Sequence, residues 1–194
     1  MLGKEDTAVR GNFLSALAML IAVSVTLINI FNPLLIIIGI SIGALVGSLI
    51  ALKVKMTSIP EMVALFNGFG GLATFFIAWS EFNSSIDNSF QYILIMLTVY
   101  IGGVTFSGSI IAYGKLSERL KIAKTSIITK LFTTIFYISL VYLLYSAALT
   151  EIFTPTFDFF TLLLVLTLLG GVGFVLPIGG GDMPVVISLL NSLS

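Results

Sequence analysis

The sequence predicts an all-α protein, a polytopic bundle of transmembrane helices with six full helices and the start of a seventh. Hydrophobic residues make up 58% of the 194 residues and charged residues only 9%, against roughly 25% charged in ordinary soluble domains. The apolar runs are long enough to cross a bilayer, which takes about 20 residues of helix. Every lysine and arginine also falls on one predicted side of the membrane.

Composition also limits the chemistry that the chain can carry. It contains no cysteine and no histidine, so it offers neither thiolate metal ligands nor an imidazole proton carrier. Its formal net charge is zero, so no strong field attracts nucleic acid. We therefore expect no metal site, no nucleic-acid partner and no catalytic residue of these kinds.

The helices follow from uncharged runs and from the residues that interrupt them. No charge occurs between Gly11 and Leu52, and "FNP" (Phe31 to Pro33) divides that run because proline cannot continue a helix. The predicted helices cover 12–30, 34–52, 60–80, 89–113, 128–149 and 159–176, and a seventh begins near 183. The seventh reaches Ser194 after roughly half a span, so we expect the sequence to be truncated.

The positive charges predict the orientation. They lie before the first helix, at Lys53 and Lys55, or between Gly114 and Lys130. With six spans these positions share one side, so the positive-inside rule places the N-terminus in the cytoplasm. Some of these charges could instead bind anionic lipid. The opposite side receives only acidic residues, namely Glu81, Asp87, Glu151 and Asp158.

Two glycine patterns have different interpretations. Gly39, Gly43 and Gly47 recur every four residues in the second helix, which predicts close approach of a neighbouring helix. "NGFGGLA" (Asn67 to Ala73) has the form G-x-G-x-x-A, but a dinucleotide site needs a strand before it. Because this stretch lies inside a membrane helix, we reject a dinucleotide site here.

The third helix carries two candidate residues. Ser58 and Glu61, with Pro60 between them, predict a capping box, so Glu61 is either a helix cap or an acid on a conduction path. Asn67 lies about 9–10 Å further along the helix axis than Glu61. A buried amide needs partners, so Asn67 either forms an interhelical hydrogen bond or orients water on a polar path.

The fourth helix ends with three hydroxyl side chains, those of Thr105, Ser107 and Ser109. The third and fourth helices run in opposite directions, so Ser109 and Asn67 are predicted to lie at similar depth. Each hydroxyl could bond to its own helix or contribute to a shared polar interior.

"PIGGGDMP" (Pro177 to Pro184) separates the sixth helix from the seventh. Asp182 precedes an apolar run, so it is predicted to cap the seventh helix. A carboxylate at a membrane boundary can also belong to a proton relay, and the two roles are compatible.

Three segments together resemble a known family. "IPEMVALFNGFGGLA", "GGVTFSGSIIAYGKL" and "LPIGGGDMPVVISLLNS" resemble, in this order, the membrane domain of the beta subunit of proton-translocating NAD(P) transhydrogenase. The resemblance covers most of the chain, and the third segment is the most specific.

The resemblance implies an enzyme complex that couples hydride transfer from NADH to NADP⁺ with inward proton movement. Residues 1–194 would be its transmembrane proton-translocating domain, truncated at both ends and lacking the NADP(H)-binding domain. NAD(H) and NADP(H) would bind in separate soluble domains, with no cofactor in this chain. The implied partners are the lipid bilayer, the alpha subunit, the NADP(H)-binding domain and a second copy in a homodimer, in a bacterial inner membrane.

The resemblance also implies roles for four residues. Asn67 falls where several members of the family have a histidine on the proton path, and asparagine cannot titrate there. Ser109 matches a serine of the conduction region, and Glu61 matches the acid at the start of the same helix as Asn67. Asp182 matches a loop aspartate near the NADP(H)-binding domain.

Two other classes of protein remain as alternatives. A secondary transporter often has broken helices near the membrane midplane, and the glycine clusters suit one. The break at 177–184, however, is predicted at the membrane boundary, and no second break mirrors it. A structural membrane subunit is the third possibility.

Overall fold

The computed structural model describes residues 5–28, 34–83, 88–120, 126–148 and 157–193, and these stretches contain helices and no strand. The all-α prediction is therefore confirmed for the described chain. The seven helices are α1 Glu5–Ile28, α2 Leu34–Lys53, α3 Ile59–Phe82, α4 Ser89–Leu116, α5 Ile127–Ala148, α6 Phe157–Val175 and α7 Met183–Leu193.

The predicted helices agree with these bounds, with one large difference. α1 begins at Glu5 instead of residue 12, because the polar residues before the apolar run are also helical. The predicted break at Phe31 to Pro33 lies outside the described residues.

Five of the described helices, α1 to α5, are long and apolar enough to cross a membrane. α6 and α7 form a broken pair in which the chain direction changes by 110°. Counted as one span, this pair is the sixth. The protein is therefore a multi-pass membrane protein, in which α7 turns aside from α6 instead of continuing it.

The chain divides into two compact units, Met1–Lys53 and Val54–Ser194. The first unit consists of α1 and α2, and α2 has no buried residue. Within this unit the predicted close approach at Gly39, Gly43 and Gly47 is not found, since a Cβ atom added to any of them meets no atom of α1 within 4 Å.

The second unit contains the core, with α4 at its centre. α4 packs between α3 and α6, α5 packs on α6, and α7 contacts both α3 and α4. Met96 and Val99 of α4 are fully buried. At the end of α3, the ring of Phe82 stacks on Phe160 with the two centroids 4.1 Å apart.

Glycines bring the helices of this core together. A Cβ atom at Gly71 would lie 2.7 Å from the backbone nitrogen of Phe106, and one at Gly102 would lie 2.7 Å from that of Phe75. Small residues let membrane helices approach at backbone distance, where dispersion and polar contacts are strongest. The close packing predicted for α2 is thus found between α3 and α4.

The start of α3 differs from the prediction in one detail. Ser58 is the N-cap residue and Pro60 lies in the first turn, but the Ser58 side chain makes no capping hydrogen bond. A short 3₁₀ turn, Met56–Ser58, precedes the helix, and the Ser58 amide donates to the carbonyl of Lys55 at 2.9 Å. This turn holds Ser58 at φ −96° and ψ 4°, away from the extended conformation that a capping side chain needs. The capping-box prediction is therefore wrong.

Candidate functional site

The centre of the site is a polar contact between α3 and α4. Asn67 Nδ2 donates a hydrogen bond to Ser109 Oγ at 2.9 Å. Both side chains are buried, Asn67 at 7% exposure and Ser109 at 0%. The contact agrees with the similar depth predicted for these two residues. Neighbouring Gly68 permits the contact, since a Cβ atom there would already lie 3.3 Å from the Ser109 Cβ.

Asn67 also lines a cleft of about 670 Å³ between α3 and α7. Most of its walls are apolar, and its polar side chains are those of Asn67, Ser188 and Asn191. None of the described residues that line the cleft is ionisable. The full lining consists of Ile59, Pro60, Val63, Phe66, Asn67, Gly70, Pro184, Ile187, Ser188 and Asn191.

Sequence reasoning did not select Ser188 and Asn191. These residues are three positions apart on α7, a spacing that places two side chains on one face of a helix. That spacing was a usable signal. What the sequence could not supply is the 110° change of direction after α6, which sets this face of α7 opposite α3.

The three hydroxyl groups of α4 have three different environments. Ser107 Oγ donates to the Gly103 carbonyl of its own helix at 2.9 Å, as the local alternative predicted. Ser109 receives the interhelical bond from Asn67. Thr105 Oγ1 is buried and has no hydrogen-bond partner among the described residues. The predicted shared polar interior therefore includes Ser109 and leaves out Ser107.

A second set of polar contacts joins α4, α5 and α6. The Tyr100 hydroxyl lies 3.5 Å from Ser139 Oγ, and Ser139 itself donates to the Phe136 carbonyl at 2.7 Å. Thr133 Oγ1 donates across the helix interface to the Gly173 carbonyl at 3.2 Å. These bonds satisfy polar groups within the bundle, away from the residues that line the cleft.

Glu61 lies in the first turn of α3 and is half-buried. It is not among the residues that line the cleft. It forms neither a hydrogen bond nor an ion pair with any described residue. The structure thus places this carboxylate at the entry end of the helix that carries Asn67, on a different surface.

Asp182 lies at the end of a 3₁₀ turn, Gly180–Asp182, directly before α7. Its amide donates to the Gly179 carbonyl at 3.1 Å, and its side chain is exposed. No described residue forms a hydrogen bond with its carboxylate, so the side-chain cap predicted for α7 is not formed among the described residues. Pro184, two positions further on, already lines the cleft. Of the four candidate residues, the structure therefore joins Asn67 to Ser109, whereas Glu61 and Asp182 lie at helix starts outside the cleft.

The described residues contain no group of three histidine, cysteine, aspartate or glutamate side chains that could hold a metal ion. The G-x-G-x-x-A stretch from Gly68 lies inside α3, where Gly68 and Gly71 face α4. The site instead consists of neutral polar side chains that lie between helices.

A helical bundle with apolar outer surfaces and neutral hydrogen-bonding groups beside an interhelical cleft defines an integral membrane protein with a polar interior. A family model described as NAD(P) transhydrogenase beta subunit matches residues 1–194. The chain therefore belongs to the NAD(P) transhydrogenase beta subunit family.

Individual relatives agree with this assignment. The chain is 33% identical over 205 residues to the NAD(P) transhydrogenase subunit beta of Rhodospirillum rubrum, across 100% of this chain and 43% of the relative. A second protein of the same name, from a strain of that species, gives the same identity and coverage. The chain thus spans less than half the length of the curated relatives it matches.

Proposed function

We propose that this chain is the proton-conducting membrane part of a proton-translocating NAD(P) transhydrogenase. The observation that carries the proposal is the Asn67–Ser109 hydrogen bond beside the α3–α7 cleft, in a chain that belongs to the beta subunit family. Hydride transfer between NADH and NADP⁺ takes place in soluble domains of the complete enzyme, which hold both nucleotides.

The cleft conducts protons through water that its polar side chains orient. Its volume of about 670 Å³ is far larger than the roughly 30 Å³ that one water molecule occupies in the liquid. Asparagine and serine hold no extra proton near neutral pH, so Asn67 and Ser109 fix hydrogen-bond directions without themselves titrating. Asn191 and Ser188 do the same from α7.

Asp182 acts as a charge sensor at the inner mouth of this path. Its exposed carboxylate is free to respond to protons and to a docked domain. A negative charge at the start of a helix is favoured by about 0.3–1 kcal/mol at exposed sites, so protonation weakens the junction between the loop and α7. The NADP(H)-binding domain rests on this loop and senses the change. Glu61 is the corresponding acid at the start of α3.

The orientation follows the charges at the ends of the helices. Lys53 lies in the last turn of α2, Lys115 in the last turn of α4, and Lys130 near the start of α5. In successive antiparallel spans these positions share one side, and the positive-inside rule makes that side cytoplasmic. The N-terminus is therefore cytoplasmic, in a bacterial inner membrane. The partners are the alpha subunit, the NADP(H)-binding domain and a second copy of the enzyme.

The test uses the complete enzyme reconstituted into vesicles. NADPH-dependent reduction of an NAD⁺ analogue is measured together with proton uptake by a pH-sensitive dye. Asn67→Leu removes the amide at similar volume, and we expect both rates to fall about tenfold or more, a loss of at least 1.4 kcal/mol of barrier lowering. The control is Thr98→Val on α4, whose hydroxyl, among the described residues, bonds to the Leu94 carbonyl of its own helix at 2.7 Å.

The result distinguishes the three classes of protein. A secondary transporter or a structural subunit would support no nucleotide-driven proton movement in the wild type. Normal proton movement in the Asn67→Leu enzyme would show that the cleft is not part of the proton path.

A further inference from the structure

The end of α6 is held by a lysine of α4. Lys115, in the last turn of α4, donates hydrogen bonds to the carbonyl oxygens of Val175, Leu176 and Ile178. Its Nζ lies 3.3 Å from the oxygen of Val175 and 2.7 Å from that of Ile178. An ammonium group has three donors, and Lys115 directs them toward three carbonyls at the same helix end.

Two of these carbonyls, those of Leu176 and Ile178, lie just beyond α6, which ends at Val175, so no helical amide follows one turn further on. The Val175 carbonyl accepts from the Ile178 amide, and Lys115 adds a second donor to it. Pro177 has no N–H and cannot extend the helix. A cation at this position also meets the negative end of the helix dipole, and the half-buried position of Lys115 limits screening by salt.

The same carbonyls begin the segment that carries Asp182. We call residues Pro177 to Asp182 the glycine loop. The Ile178 amide donates back to the Val175 carbonyl at 3.1 Å, and the Asp182 amide donates to Gly179 at 3.1 Å. Lys115 thus binds the oxygens on which the first turn of the loop is built, and it fixes the direction in which the chain leaves α6.

α4 joins this contact to the polar pair. Ser109 lies six residues before Lys115 on the same helix, about 9 Å along the axis. Gly108, Ser109, Ala112 and Gly114, between or beside them, are buried, so this part of α4 is held on several sides. The two ends of the segment therefore move together.

We propose that Lys115 is a positioning residue that ties the glycine loop to α4, and through α4 to the Asn67–Ser109 pair. When a docked domain moves the loop, Lys115 transmits that movement to the end of α4, and α4 transmits it to the polar pair beside the cleft. The effect of Lys115 on proton coupling rests on the proposed function, whereas its hold on the loop rests on the hydrogen bonds alone.

Amide hydrogen exchange in the complete enzyme tests the hold on the loop. Lys115→Met keeps an apolar stem and removes every donor, and we expect the Ile178 and Asp182 amides to exchange about tenfold faster or more, because local opening becomes easier. Lys115→Arg should largely restore slow exchange, since guanidinium keeps the charge and the donors. Lys130→Met, on an exposed lysine, should leave these amides unchanged. Unchanged exchange in Lys115→Met would overturn the proposal.

Proton movement per hydride transferred tests the coupling. We expect this ratio to fall at least about twofold in Lys115→Met and to recover in Lys115→Arg. Thr133→Val is the matched structural control, because it removes the other interhelical bond at the end of α6, to the Gly173 carbonyl. It should lower the amount of folded enzyme and leave the ratio unchanged. A ratio that falls equally in both variants would show that Lys115 only stabilises α6.

The two measurements separate the inference from the function on which it rests. If the wild-type enzyme moves no protons, the proposed function fails, and the exchange experiment still decides whether Lys115 holds the loop. If Lys115→Met does not accumulate, Lys115→Gln replaces it, because glutamine keeps two N–H donors without the charge. Its expected results are the same in direction, and slow exchange with a normal ratio would again overturn the proposal.

Discussion

Hydroxyl groups on one helix can differ greatly in what they contribute. Ser109 receives a bond from another helix and Ser107 bonds to its own, whereas the buried Thr105 hydroxyl has no partner among the described residues. A buried polar atom without a partner costs about 1–3 kcal/mol. Position along the helix therefore does not decide the role of a hydroxyl, but the surface that it meets does.

Thr105→Val is predicted to be neutral or stabilising. Valine keeps the shape of threonine and removes the unpaired hydroxyl, so the midpoint of thermal unfolding in detergent should stay constant or rise. Ser109→Ala, which leaves the Asn67 amide without its partner, should lower the midpoint. A clear loss of stability in Thr105→Val would show that its hydroxyl has a partner in the membrane.

Asp182→Asn in the complete enzyme tests the charge sensor. Asparagine keeps the shape of aspartate but cannot titrate, so proton-coupled transhydrogenation should fall about tenfold or more. Protein abundance and nucleotide affinity of the isolated soluble domains should not change. If the variant moves protons normally and only unfolds at a lower temperature, the Asp182 carboxylate contributes to stability alone.

Sequence predicted that Asn67 and Ser109 lie at similar depth, because two antiparallel spans with known ends fix relative depth. It did not predict the hydrogen bond between them, which depends on the faces that α3 and α4 turn to each other. Asn191 and Lys115 depend on where the chain goes after Val175. Pro177 marks the end of a helix, but the 110° turn that follows is decided by packing of α7 against α3 and α4, which no local pattern encodes.

At the scale of helices, glycine spacing is ambiguous in the same way. A Cβ atom added to any of the regular glycines of α2 meets no atom of α1 within 4 Å, whereas one added to the less regular Gly71 or Gly102 would lie 2.7 Å from the backbone of a neighbouring helix. The pattern shows where close approach is possible, and the neighbouring helix decides where it occurs. The ends of a helix are also not fixed by the sequence pattern. The apolar run marks the part of α1 that lies in lipid, but the helix extends beyond it to Glu5.

Gly71→Ala and Gly70→Ala form a matched pair. A Cβ atom at Gly71 would lie 2.7 Å from the Phe106 backbone nitrogen, whereas one at Gly70 meets nothing within 4 Å. Overpacking costs about 1–3 kcal/mol, so Gly71→Ala should lower the thermal unfolding midpoint of the protein in detergent. Gly70→Ala should not lower it, since alanine favours helix over glycine by about 0.8–1 kcal/mol. Equal effects would mean that α3 and α4 are further apart in the membrane.

At the scale of the whole molecule, the proposed orientation is open to direct chemical labelling. Residues 1–194 contain no cysteine, so a single introduced thiol is the only one within them. Asn83, just after α3, and Lys55, just before it, are both exposed. An impermeant thiol reagent should label Asn83→Cys in intact cells and Lys55→Cys only after lysis. The reverse pattern would invert the orientation.

The neutral lining of the cleft has a thermodynamic consequence. A group affects the pH dependence of an equilibrium only if its proton occupancy differs between the two states. None of the described lining residues has an ionisation near neutral pH, so the cleft itself adds no titration to folding or to nucleotide binding. Its side chains can change how fast protons pass without changing the pH at which they are taken up. Substitutions at Asn67 should therefore scale the rate at every pH and leave the shape of the pH–rate profile in place.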